Sequence, residues 1–171
     1  MTGKGRIGIR DICLMAVLGA TMYASQVALA FLPNIELVSL LTILFTLVFK
    51  KKIIGILGVF LVIETFTYGI NTWTIMYMYV WPILALIAYL FRKVDKPVIW
   101  AVISGAYGLS FGFLCSIVYL FIGGPGGFWA YFLNGLTFDL IHCLGNFTVT
   151  FFLYRALRKA LEKLNRIFLR A

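Results

Sequence analysis

The sequence predicts an all-α membrane protein, a single domain spanning residues 1–171 with six transmembrane helices and both termini in the cytoplasm. Hydrophobic residues make up 63% of the chain, and its mean hydropathy of +1.01 is far above that of soluble domains. All fifteen Lys and Arg residues fall into four clusters. These clusters are Lys4, Arg6 and Arg10; Lys50 to Lys52; Arg92, Lys93 and Lys96; and the tail from Arg155 to Arg170. Basic residues stay on the cytoplasmic side of short loops, so the clusters mark the inside.

Three intervals without Lys or Arg separate the clusters: residues 11–49, 53–91 and 97–154. Each is long enough for two crossings of about 20 residues. Each is also broken near its middle by turn-forming residues, at Leu32-Pro33-Asn34, at Gly69-Ile70-Asn71 and from Gly123 to Gly127. These uncharged breaks mark the outside. The net charge of +9 therefore lies at membrane edges, which excludes a basic soluble surface for nucleic acid.

The first span, residues 12–31, has alanine at every fourth position: Ala16, Ala20, Ala24 and Ala28. Residues four apart share one helical face, and small residues there allow another helix to approach closely. The row packs either within the protein's own bundle or against a separate membrane subunit, and Gly19 widens the smooth surface in both cases. The apolar run is longer than the core of a secretory signal, so we expect this span to be retained.

The remaining spans follow in order as residues 35–49, 53–68, 73–91, 98–122 and 128–154. Pro82 should kink the fourth span, and Gly105, Gly108 and Gly112 interrupt the fifth. The glycine-rich break at 123–127 lacks the Lys and Ser/Thr of a phosphate-binding loop, and we expect a flexible outer loop. Residues 157–171 form an amphipathic cytoplasmic extension of the sixth helix, expected to lie along the inner membrane surface.

Ionisable residues inside spans are costly, so they are candidates for function. Glu36, Glu64 and Asp139 have no basic residue near them in sequence, and all three could face one outward cavity. Asp139, His142 and Asn146 share a face of the sixth helix. They form either a hydrogen-bonded packing stripe or a proton relay. They are too few for a metal site, and the chain shows no catalytic constellation. We therefore predict no enzymatic activity, no metal and no cofactor.

The spans within residues 53–91 and 97–154 form the second and third predicted helical hairpins. Aromatic side chains gather on the outer half of these two hairpins, beside unpaired acids and amides. A belt of interfacial Tyr and Trp accounts for some of them. An aromatic pocket with a few polar anchors is the usual form of an organic-ligand site. The predicted ligand-binding residues are Asn34, Glu36, Glu64, Tyr68, Asn71, Trp73, Tyr77, Tyr131 and Asn134.

Six helices with internal termini and an alanine row on the first helix resemble the S components of energy-coupling factor (ECF) transporters. The stretches Phe31-Leu-Pro-Asn-Ile-Glu-Leu-Val38 and Trp73-Thr-Ile-Met-Tyr-Met-Tyr-Val-Trp-Pro82 are similar to the cobalamin-specific branch, often called CbrT. The resemblance implies a plasma-membrane protein that takes up cobalamin (vitamin B12) or cobinamide. It also implies partners: a membrane scaffold subunit, docked on Ala16, Ala20 and Ala24, and two ATPase subunits.

Two other functions remain open at the level of sequence. The predicted aromatic pocket also suits another vitamin, such as a flavin or a pterin. A self-sufficient small porter, coupled to protons through Asp139 and His142, would need no partner. The predicted fold is common to all of these functions.

Overall fold

The structure, a computed structural model, describes residues 7–170, with side chains to residue 168, and this range is helical without a strand. Its helices are α1 (Ile9–Ala28), α2 (Val38–Phe49), α3 (Ile53–Tyr68), α4 (Thr72–Leu90) and α5 (Pro97–Arg170). A short 3-10 turn, Lys50–Lys52, joins α2 to α3. Within α5 only Gly124 leaves helical geometry, at φ 64° and ψ −164°. It divides α5 into a first arm (97–123) and a second arm (125–170). Four helices and two arms thus correspond to the six helical segments expected from the sequence.

Three of the described helices are long and apolar enough to cross a membrane. They are α1, α4 and the stretch Pro97–Phe168 of α5. In contrast, α2 has 12 residues and α3 has 16, or about 18 and 24 Å against a hydrocarbon core of about 30 Å. Pro82 lies within α4, which continues on both sides of it.

The short helix α2 lies at the centre of the molecule. Ten of its 12 residues are buried, and it packs mainly against α5 and α4. The buried set includes the polar residues Ser39, Thr42 and Thr46. Helix α2 is therefore surrounded by protein on nearly every side, which explains how polar residues are tolerated in an otherwise apolar helix.

Helix α1 lies at the edge and packs chiefly on α3. A Cβ on Gly19 would lie 2.7 Å from the Cβ of Val59, so the two helices meet where α1 has no side chain. The prediction that Gly19 extends the alanine surface is therefore wrong: Gly19 is buried against α3. The alanine row is exposed throughout, at positions 16, 20, 24 and 28. It does not pack within the described part of the bundle.

The two arms of α5 run back along each other as a closely packed hairpin. Gly105, Gly108 and Gly112 do not interrupt the first arm, contrary to the sequence prediction. A Cβ on Gly108 would lie 2.8 Å from the His142 carbonyl group, so these glycines admit the second arm at close range. The expected flexible loop at 123–127 is also wrong. Helical geometry continues up to Gly124 and resumes at Pro125, where the fixed φ of proline suits a first helical turn.

The described basic connections lie at one end of the molecule, here called the basic end. Lys52 Nζ lies 2.6 Å from Asp11 Oδ1 and 5.2 Å from the centre of the Phe168 ring. Arg158 Nη1 lies 2.8 Å from Asp95 Oδ1. The start of α1, the α2–α3 turn, the α4–α5 connection and the end of α5 therefore meet there. Lys4 and Arg6 lie outside the described residues.

The amphipathic extension also packs at the basic end. Its apolar residues Leu157, Leu161 and Phe168 lie against the hydrophobic core, and Asn165 Nδ2 donates a long hydrogen bond of 3.5 Å to the Val48 carbonyl. Much of its apolar face is thus used within the protein, whereas the sequence predicts that this face rests on the membrane surface.

Candidate functional site

Three cavities open at the end opposite the basic end, among the three predicted breaks. We call them the α5 cavity (about 650 Å³), the Glu64 cavity (about 370 Å³) and the central cavity (about 250 Å³). Trp73 lines all three. The α5 and central cavities also share Asn34, Phe111 and His142. The three cavities are therefore neighbouring parts of one site, of the size that organic ligands occupy.

The α5 cavity lies along the hairpin of α5. Tyr119 and Tyr131, one from each arm, stack with ring centres 4.3 Å apart and form part of its wall. Asp139 lies deeper and is 4% exposed. Its Oδ1 accepts a 2.9 Å hydrogen bond from the Gly112 amide, while Oδ2 has no partner among the described residues. A buried carboxylate oxygen without a donor is costly.

The Glu64 cavity lies between α1, α3 and the start of α4. Gln26 Nε2 donates a 2.8 Å hydrogen bond to Glu64 Oε1, which joins α1 to α3 beside the cavity. Tyr68 and Tyr77 complete the wall with Trp73. Among the described residues, Glu64 thus has one amide donor, on Oε1, and its other oxygen is left for a ligand beside an aromatic surface.

Asn71, at the mouth of the Glu64 cavity, is the N-cap of α4. Its Oδ1 accepts from the amides of Trp73 (2.8 Å) and Thr74 (3.3 Å). Its Nδ2 donates to the carbonyls of Tyr68 and Gly69. The polar groups of Asn71 are therefore already used in holding the turn that positions Trp73.

The central cavity connects the other two and has an aromatic floor. Tyr77, Trp81 and Phe111 line it, and the Trp81 ring packs between the other two. The ring centres of Tyr77 and Trp81 are 5.4 Å apart, and those of Trp81 and Phe111 are 5.6 Å apart. The Phe111 and His142 rings in turn pack edge to face, with centres 4.9 Å apart. Large flat rings of this kind cover a broad apolar ligand efficiently.

Glu36 performs two structural tasks at the rim of the central cavity. Its carboxylate accepts from the Ser39 amide at 2.9 Å, which caps α2. Its Oε1 also lies 3.3 Å from His142 Nε2. The Glu36–His142 contact ties α2 to the second arm of α5, and one turn further along Asn146 Nδ2 donates to Ser39 Oγ at 3.0 Å. Each residue on this polar face of the second arm therefore has its own neighbour: Asp139 contacts Gly112, His142 contacts Glu36 and Asn146 contacts Ser39.

The structure brings all nine sequence-predicted ligand-binding residues to these cavities. Asn34, Tyr131 and Asn134 line the α5 cavity; Glu64 and Asn71 line the Glu64 cavity; Glu36 lines the central cavity; Tyr68, Trp73 and Tyr77 line more than one. The prediction omitted Gln26, Trp81, Phe111 and Tyr119. Gln26 carried a usable signal, since an amide inside an apolar span needs a partner. Phe111 carried none, because the sequence has sixteen phenylalanines with nothing to distinguish this one.

The charges around the site limit its chemistry. Among the described residues, neither Lys nor Arg lines any of the three cavities, whereas Glu36, Glu64 and Asp139 do. No group of three or more His, Cys, Asp and Glu side chains in the described range could hold a metal ion. The arrangement suits a neutral or cationic organic ligand with polar groups at its rim, and it disfavours a polyanion.

Comparison with protein-family profiles, with curated proteins and with solved structures gave no match to this chain. Its function is therefore inferred from the cavities, from the distribution of charge and from the exposed face of α1.

Proposed function

We propose that this protein is the substrate-binding S component of an ECF-type transporter for vitamin uptake, with cobalamin or cobinamide as its ligand. In this role it lies in the plasma membrane with six spans and both termini in the cytoplasm. It captures the vitamin outside the cell and depends on a membrane scaffold subunit and two ATPase subunits for transport.

One observation carries the proposal: the aromatic and amide side chains of all three hairpin breaks surround connected cavities at the end away from the basic connections. Basic connections belong on the cytoplasmic side, so such cavities open outward. A site at the outer end of the bundle, without a nucleotide-binding motif in the chain, fits ligand capture rather than chemistry.

The ligand is proposed from the shape and charge of the site. A corrin is broad and rigid, and its rim carries amides that pair with carboxylate and amide side chains such as Glu64 and Gln26. The central aromatic floor suits its flat face. A cobalt corrin such as cobinamide also carries positive charge at the metal, which favours a site with acids and without basic residues.

The exposed alanine row supports the proposed docking role. Ala16, Ala20 and Ala24 lie on the face of α1 that points away from α3. In lipid, helices associate through close backbone approach, and a row of small side chains permits it.

Titration of cyanocobalamin and of cobinamide into the purified protein tests the proposal, with riboflavin and folate as comparison ligands. We expect saturable binding of the corrins alone. Binding of riboflavin or folate instead would support an S component but show that its ligand is not a corrin. Failure of every vitamin to bind would remove the S-component function.

A proton-coupled small porter is the second candidate, because Glu36 lies 3.3 Å from His142 and Asp139 Oδ2 lacks a partner among the described residues. Liposomes containing this chain alone separate the two functions. An S component binds ligand without accumulating it. Accumulation driven by a pH gradient, and lost in Asp139→Asn, would establish the porter.

A further inference from the structure

A long groove begins at the basic end and extends toward the candidate site, with which it shares Tyr77. It has a volume of about 620 Å³ and runs between α3 and α4. Its walls are apolar, with Ile54, Leu57 and Leu61 from α3 and Met78, Leu86 and Tyr89 from α4. Ile54, Met78 and Leu86 are each more than half exposed, so the groove opens sideways, toward the surrounding lipid in a membrane.

Positive charge gathers at one end of the groove. Lys50 and Lys51 line that end, and among the described ion pairs neither takes part, whereas Lys52 pairs with Asp11. The guanidinium of Arg92 lies 4.2 Å from the centre of the Tyr89 ring, at the same end. Three cations thus surround the mouth of an apolar channel that contains no acid.

The length of the groove matches one leaflet. Along α4 it extends from Tyr77 to Tyr89, which is about 18 Å at 1.5 Å per residue. Half of the hydrocarbon core of a bilayer is about 15 Å. An acyl chain in the groove would therefore place its headgroup among the lysines.

We propose that the groove between α3 and α4 binds one anionic phospholipid of the cytoplasmic leaflet, with an acyl chain along α3 and α4 and the phosphate at Lys50 and Lys51. The proposal rests on the membrane placement of the basic end but not on the vitamin. Charge selects the occupant, since clustered basic residues at the inner surface attract anionic headgroups. A helix from a partner protein would leave these lysines unpaired unless it carried acids at the same level.

Gly58 gives a way to close the groove without damaging the fold. It lines the groove, is exposed, and a Cβ there meets no atom within 4 Å. Gly58→Leu therefore fills the channel with a good helix former. Ala106→Leu is a matched control, because Ala106 is exposed on the first arm of α5 and does not line the groove.

The charge test uses two double variants with the same loss of charge. Lys50→Gln with Lys51→Gln removes the proposed headgroup site. Lys93→Gln with Lys96→Gln removes two exposed lysines of the neighbouring connection. Both pairs lie at the basic end, so general attraction to anionic lipid falls equally in the two variants.

Native mass spectrometry of the detergent-purified full chain, titrated with phosphatidylglycerol or phosphatidylcholine, measures the outcome. We expect one tightly retained phosphatidylglycerol, preferred over phosphatidylcholine. The Lys50/Lys51 variant should bind it at least about tenfold more weakly, since each basic group near the surface contributes appreciably. Gly58→Leu should lose it, and both controls should keep it. Inorganic phosphate should not displace it.

Several results would overturn the proposal. Equal weakening in the Lys93/Lys96 variant would mean that charge alone attracts the lipid. Equal retention of the two lipids would mean an unselective apolar groove. A dimer of the chain that Gly58→Leu dissociates would make a second copy the occupant.

Discussion

Trp73 lines all three cavities, although the residue is 48% exposed. Its ring packs edge-on against that of Tyr77, with centres 6.2 Å apart, and its place is fixed by the Asn71 cap two residues before it. Truncation of Trp73 therefore removes little packing from the folded protein, but it removes part of the wall of every cavity in the site.

Trp73→Ala should weaken cobalamin binding by about 1–3 kcal/mol, or about 5- to 150-fold, with little loss of stability. The measurement is a binding titration on purified protein. Trp129→Ala is the matched control, because Trp129 is similarly exposed and lines none of the three cavities. Equal affinities for wild type and Trp73→Ala would exclude Trp73 from the binding surface.

Asn71 separates a structural role from ligand contact. Asn71→Ala should lower the free energy of unfolding by about 0.5–2 kcal/mol, the usual cost of an N-cap. Asn71→Ser keeps a capping oxygen and should retain both stability and ligand affinity. Thermal unfolding in detergent, followed by titration, compares them. Loss of affinity in a fully stable Asn71→Ser protein would instead make the amide a direct ligand contact.

At the scale of the helix, the sequence predicted the two arms of α5 but not the short turn between them. The basic clusters and the Gly-Pro break indicated two segments close to their actual ends. The predicted loop failed because five turn-forming residues indicate that the chain reverses, but not how many residues the reversal needs. One positive φ at Gly124 is sufficient, and Pro125 begins the next arm. Likewise, three glycines in one span predict an interruption at Gly105, Gly108 and Gly112, because the sequence alone does not reveal the backbone of the second arm beside them.

Gly108→Ala tests that close approach. The added Cβ would meet the His142 carbonyl group at 2.8 Å, and overpacking of this kind costs about 1–3 kcal/mol. Gly135→Ala, on the second arm, meets no atom within 4 Å and should be neutral or stabilising, because alanine favours helix. Unfolding midpoints of the two variants give the comparison. Similar midpoints would mean that the arms separate easily.

For the whole molecule, the spacing of the basic clusters along the sequence was enough to indicate helical hairpins whose basic connections lie at one end. The pairing of helices was not predictable, because apolar faces in lipid carry no amphipathic signal that identifies a neighbour. This is why the sequence left the alanine row open between internal packing and docking, and why Gly19 was assigned to the wrong face. Acids, amides and Trp are conspicuous in apolar spans, and six of the nine predicted ligand-binding residues are of these types; the other three are tyrosines near the predicted breaks. The same reasoning passed over Gln26 and Trp81, and Phe111 gave no signal.

Ala16→Trp combined with Ala20→Trp should leave folding and ligand binding intact, since both positions are exposed in the isolated chain. Co-purification with the scaffold and vitamin uptake should both be lost, because two indoles prevent close helix approach. Ala106→Trp serves as the control on another exposed face. Normal uptake by the double variant would place the partner elsewhere.

The pairing of α1 with α3, and of α2 with α5, also has a consequence for biosynthesis. Helix α2 leaves the ribosome second, yet the second arm of α5, which supplies Asn146 to Ser39, leaves it last. Until then this 12-residue helix, with three buried hydroxyl residues, lacks the neighbours that the second arm supplies, although α4 is already available to pack on it. If the chain inserts into the membrane as proposed, we expect α2 to be held in the translocon or by a membrane chaperone until the second arm packs on it. Under the same proposal, chains that stop before residue 125 should be degraded faster by membrane quality-control proteases than the full chain, which pulse-chase labelling of the two measures.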